Sequence, residues 1–231
     1  MKKLASLAVV AAAAAIFPSG AFAAFSGVVV GNGSGSLAVA AKGGAIHTVR
    51  TRVHARVGAR VRVSGSAVRV IGRAHQVRIH AVIVRRAGAT TFLAGDRSLV
   101  AVHTGRALAS VVDHKPTSGM IVNTTATVTS ARQLNAGPMQ VVGQTTSVTI
   151  QAPVLAVGPG SITVGVNGTP LTIALPAGIQ LPASLVGQMV TLSINLAGAQ
   201  PVAREDDDDQ GDNNDDQSDD DDPGGDEGGD D

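Results

Sequence analysis

The chain has 231 residues with no cysteine, tryptophan or tyrosine, and its eighteen Lys and Arg balance eighteen Asp and Glu. The absence of cysteine excludes disulfides, thiolate metal sites and cysteine nucleophiles. Aromatic residues make up only 2% of the chain, which excludes the rows of stacking faces on which single-strand nucleic-acid platforms rely.

In chain order the first element is an export signal. Lys2 and Lys3 form a short positive segment, Leu4 to Phe17 is an almost unbroken apolar run, and Pro18-Ser19-Gly20 interrupts it ahead of Ala21-Phe22-Ala23. This is the layout of a secretory signal peptide over residues 1–23, with cleavage expected after Ala23. The apolar run is shorter than the roughly 18 to 20 residues that a membrane-spanning helix needs, and no second run of that length follows. The expected mature chain is secreted, extracellular or periplasmic, with no transmembrane segment after signal cleavage.

Removing the signal uncovers a separation of charge. Residues 24–204 hold sixteen basic residues and only two acids, Asp96 and Asp113, for a net +14, whereas residues 205–231 hold sixteen acids and no base. Such segregation bears on solubility, partners and attraction within the chain rather than on fold.

Between Gly27 and Leu196, short Val/Ile/Leu/Thr-rich runs are separated by Gly, Pro, Asn and Ser without helical periodicity, which predicts an all-β core. Alternation is clearest over Val49–Val57 and resumes over Ala59–Val63. A half-buried strand is expected there, with Arg52, His54 and Arg56 on one cationic face. The two ends of the core also repeat. Ser36-Leu37-Ala38-Val39, followed by Gly43 and Ile46, has the spacing of Ser161-Ile162-Thr163-Val164, followed by Gly168 and Leu171; Val57-Gly58 through Val63 matches Val186-Gly187 through Leu192. A looser middle copy runs from Val82-Ile83-Val84 through Phe92, Leu99 and Val102 to Gly119-Met120-Ile121-Val122.

Each copy reads as four or five short strands, enough to close into a small barrel and remove exposed edges. Asn167-Gly168 is read as a tight hairpin turn, because both residues tolerate positive φ. The predicted organisation is a signal peptide over 1–23, an Arg-rich β repeat over 24–80, a divergent repeat over 81–150, a third over 151–200 and a tail over 201–231. A single β-sandwich or β-solenoid is the alternative. An outer-membrane barrel with arginines in its lumen is a third architecture, opposed by the lack of aromatic girdles.

Gly160-Ser161-Ile162-Thr163-Val164 and the Val186-Gly187-x-x-Val190 strand resemble motifs of a family of uncharacterised exported bacterial proteins. The resemblance is strongest over 152–197, fair over 25–72 and weak between. It implies tandem small OB-like β-barrels with an Asp-rich C-terminal tail, and it brings no catalytic residues.

The candidate polyanion-binding residues are Arg50, Arg52, Arg56, Arg60, Arg62, Arg69, Arg73 and Arg78, continued by Arg85 and Arg86 and interspersed with His47, His54, His75 and His80. Arginine presents a planar fork of donors suited to phosphate, sulfate and carboxylate. Alternation alone puts charge outward on any half-buried strand. Ordinary surfaces, however, mix both signs, and this segment has almost no acids. The expected function is that of an exported, non-enzymatic structural or interaction protein. Its arginine face binds an anionic polymer or surface, such as a cell-wall polymer, an anionic glycan or nucleic acid, and its own acidic tail competes for that face.

The tail is low-complexity Asp, Gly, Asn and Gln with no apolar residue to seed a core, so it is expected to be disordered. Calcium is the one cofactor the sequence raises, and a calcium-binding exported protein is the alternative function. Asp206, Asp208, Gln210, Gly211, Asp212 and Asn214 occupy positions 1, 3, 5, 6, 7 and 9 of an EF-hand-like loop, with Asp206, Asp208 and Asp212 as candidate ligands. Gln217 stands where the loop needs a bidentate Glu. Enzyme motifs are lacking: there is no Gly-x-Ser-x-Gly elbow and no phosphate-binding loop, and Asp96 and Asp113 are the only carboxylates before the tail.

Overall fold

The computed structural model describes residues 24–33, 35–105 and 117–196, together with a strand at Val9–Ala11 (β1). After β1 come three successive sets of strands. The first is β2 (Phe25–Gly33), β3 (Ser36–Ala41), β4 (Ile46–Arg50), β5 (Ala59–Ser64) and β6 (Ala67–Arg73). The second is β7 (Gln76–Ala87), β8 (Thr90–Gly95), β9 (Ser98–Thr104), β10 (Met120–Val128) and β11 (Leu134–Gln144). The third is β12 (Ser147–Gly158), β13 (Ser161–Val166), β14 (Thr169–Ala174), a 3₁₀ turn at Ala183–Leu185 and β15 (Met189–Asn195). Among the described residues the chain is all-β, with no α-helix.

The three sets share one topology. Their spatial orders are β4-β3-β2-β5-β6, β9-β8-β7-β10-β11 and β14-β13-β12-β15, with β1 standing beside β15 where β6 and β11 stand in the other sets. In the second set β11 also pairs in parallel with β9, through Asn135 with His103 and Ala136 with Thr104, so the pairings run in a closed ring. The first strand of each set serves two neighbours, the fourth strand along its first half and the second strand along its later half. A register shift falls at the corresponding place in all three, at Val29/Gly31, Ile83/Arg85 and Val154/Ala156. An extra residue of this kind bends and twists a strand, which suits it to turn from one partner to the other.

The repeated Val-Gly signal marks the entry to the fourth strand. Gly58 and Gly187, together with Gly119 in the middle set, have φ of +86°, +84° and +88°. Their amides donate to the carbonyls of Val29, Val154 and Ile83, each at 2.8 Å. A side chain strains this left-handed backbone. At Gly58 an added Cβ would also lie 2.6 Å from Val128 Cγ1.

The strand expected through Val49–Val57 is shorter than its alternation indicated. β4 ends at Arg50, residues 51–58 leave the sheet, and only Ala59–Ser64 keeps the strict buried-exposed alternation. The reason is topological. β4 is an edge strand and β5 lies beyond β3 and β2, so the chain must travel about 14 Å across the sheet, three spacings of roughly 4.8 Å, before it can pair again. Ala55, 3% exposed, anchors this crossing in the core. His54 therefore does not extend a strand face between Arg52 and Arg56.

The sets are not separate beads. One cluster of buried residues belongs to the first set alone, around Val29, Leu37, Val61 and Val63. A second joins Val30 and Ile46 to Ile79, Leu93 and Val122 of the middle set. The third joins Phe92 and Leu99 of the middle set to Ile150, Ile162 and Ile194. The changeovers fall at 74–75 and 145–146, so the boundaries expected at 80/81 and 150/151 lie inside β7 and β12.

The predicted Asn167-Gly168 hairpin is present, with φ of +50° and +81° and Val166 facing Thr169. Asn167 also reaches into the first set. Its Oδ1 accepts from the Asn32 amide and its Nδ2 donates to the Val30 carbonyl, both at 3.0 Å.

Candidate anion-binding cleft

The structure divides the candidate arginines among several places. Arg60 and Arg62 alternate outward on β5, and Arg69 on β6 lies directly opposite Arg62, so these three share the outer face of the first sheet. A register shift between Arg60 and Val61 then leaves Ile71 unpaired and sets Arg73 opposite buried Ala59, on the other face. Arg50 ends β4 on the far edge of the sheet, and Arg52 lies in the crossing segment. Arg78 is exposed on β7, two residues before His80, whose Nδ1 is 2.7 Å from Asn123 Oδ1. The continuous arginine face expected from sequence is thus split, because the crossing segment and the register shift separate residues that alternation alone would align.

Two of the eight arginines come together with partners outside that set. A cleft of about 700 Å³ opens between the first sheet and the middle set, and His54, Arg56, Arg73, His75 and Arg132 line it with Val57, Val70 and Val128. His54 and Arg56 come from the crossing segment, Arg73 ends β6, and His75 sits in the two-residue link to β7. Arg132 comes from the β10–β11 turn, where its φ is +61°. That turn is closed by Thr129: its carbonyl accepts from the Arg132 amide at 2.9 Å, and its Oγ1 accepts from the Gln133 amide at 3.1 Å. All five cationic or titratable side chains are exposed.

No Asp or Glu lines the cleft. Among the described residues the only acid is Asp96, whose Oδ2 accepts from the Thr48 amide at 3.0 Å. The cleft therefore presents three guanidinium forks and two imidazoles with no carboxylate in its wall to pair with them. Val70, 49% exposed, gives it an apolar strip.

Arg132 is the residue that sequence reasoning missed. It is the only charged residue between Pro116 and Ala203, and that isolation was the available signal. Arg85, by contrast, has a structural partner, donating through Nη1 to the Thr172 carbonyl and so bridging the second and third sets. His47 packs its ring against Phe25, with centroids 5.0 Å apart.

Asp206, Asp208 and Asp212 lie outside the described residues, as do Asp113, the signal segment apart from β1, and the whole acidic tail. Among the described residues no group of three or more His, Cys, Asp or Glu is placed to hold a metal ion, and no helix is long and apolar enough to cross a membrane. Comparison of the sequence with models of protein families finds no match, and comparison with curated proteins finds none either.

Proposed function

We propose that this chain is an exported, non-enzymatic interaction protein that binds an anionic polymer through the cleft of His54, Arg56, Arg73, His75 and Arg132. The outer row of Arg60, Arg62 and Arg69 forms a second contact. The observation that carries this reading is the convergence of five cationic or titratable side chains from three separate stretches of chain on a cleft with no carboxylate in its wall. Convergence from separate segments distinguishes a built site from the ordinary charged face of one strand. The shared strand order of the three sets, with the fourth strand pairing back on the first, supports tandem OB-like units, a fold type that commonly grips extended polymers. The sparse aromatic content favours binding through charge over binding through stacked bases.

In this reading the tail, with its sixteen acids, is a competing polyanion carried on the same chain. The test is retention on immobilised heparin. Wild-type protein lacking residues 205–231 should elute well above a neutral control, and R56Q/R73Q/R132Q should elute substantially earlier. Elution of both with the control would overturn the reading.

A further inference from the structure

The third set is one strand short. In the first two sets a hairpin returns the chain directly from the fourth strand to a fifth, from β5 to β6 and from β10 to β11. After β15 the sequence instead runs through Leu196 to Pro201 and then into the acids from Glu205 onward, with no apolar run to make that strand. The fifth place is taken by β1, which pairs antiparallel with β15 through Val9 with Ile194, Val10 with Ser193 and Ala11 with Leu192. Those residues belong to the segment whose removal is part of the proposed export. Removal would leave the β15 edge open.

That edge differs from the others. Edge strands commonly carry charge or proline, which discourages pairing with another molecule. β4 ends on Arg50, β6 carries Arg69 and Arg73, and β14 contains Pro170. β15 reads Met-Val-Thr-Leu-Ser-Ile-Asn, seven residues with no charge and no proline. Apolar surface adjoins it: Met189 is 44% exposed, and Val186 three residues earlier is 49% exposed.

We infer that in the exported chain the β15 edge pairs with β15 of a second copy, joining two third-set sheets across a two-fold axis. A two-fold axis perpendicular to the sheet makes the pairing antiparallel, the sense in which the edge already receives β1. A register centred on Ser193 sets Leu192 of one copy against Ile194 of the other and Thr191 against Asn195. Leu192 and Ile194 are 3% and 0% exposed, so their faces continue as one apolar layer. On the opposite face Thr191 and Ser193 already meet Gln151 and Thr149 in polar contacts, which leaves that side free to stay in water.

The inference rests on loss of the N-terminal segment, and the test separates it from the polyanion reading. The exported protein, its N-terminus established by mass spectrometry, is measured by light scattering at micromolar concentration in 0.5 M NaCl, which screens attraction between tail and core. A dimer is expected, with T191K/S193K monomeric and folded by circular dichroism. A wild-type monomer, a dimer that dissociates in salt, a dimer that survives T191K/S193K, or an exported chain that keeps residues 9–11 would each overturn the inference. None of these results alters the heparin comparison.

Discussion

Arg62 on β5 faces Arg69 on β6 across the hairpin, two like charges in direct cross-strand register on the outer face of the first sheet. Like charges so placed oppose pairing by roughly 0.2 to 1 kcal/mol relative to neutral residues. A bound anion turns the same geometry into a fork of donors. The variant R69E should therefore stabilise the free protein by roughly 0.2 to 1 kcal/mol in urea titration, by analogy with opposite-charge cross-strand pairs. It should also elute earlier from heparin. Weaker binding without a gain in stability would show that the two side chains avoid one another in solution.

The cleft makes a salt-dependent prediction. Binding of a single-stranded oligonucleotide, used as a uniform polyanion, weakens with salt by about 0.7 in the logarithmic slope for each phosphate contact. Substituting Arg56, Arg73 and Arg132 with Gln should flatten that slope by about 2 if each arginine meets one phosphate. Fluorescence anisotropy between 50 and 300 mM NaCl measures it.

Asn167 has two separable duties, a left-handed turn and a pair of hydrogen bonds to the first set. N167A should cost about 1 to 3 kcal/mol, because two backbone groups lose partners and φ becomes unfavourable. N167G keeps the turn and loses only the bonds, so urea denaturation should place it between wild type and N167A.

Deleting residues 205–231 should raise polyanion affinity at low salt and change it little at 0.5 M NaCl, where attraction between acids and arginines is screened. Equal affinity with and without the tail at 50 mM NaCl would remove the competing role.

The β class, the repeats and the Asn167-Gly168 turn were legible because each rests on local chemistry: alternation, recurring spacing and tolerance of positive φ. The meaning of Val-Gly was only half legible. Sequence marks Gly58 and Gly187 as special, but only the pairing shows that they admit the chain to its fourth strand, and that Gly119 does the same. The extent of β4 was not legible, since alternation continues through Val57 although the chain has already left the sheet. Pairing partners decide where a strand ends, and periodicity does not carry them. The cleft stayed hidden for the same reason. Arg132 is 59 residues from Arg73 in sequence, and nothing local to either announces the other.

Phe92 and Leu99 of the middle set are buried with the third set, while Leu93 and Val100 beside them are buried in the middle set's own core, which the first set joins through Val30 and Ile46. Successive residues on β8 and β9 thus look in opposite directions into two different cores. Excising the middle set would strip both neighbours of a wall, so the three sets should unfold together, in one cooperative transition by calorimetry rather than one after another.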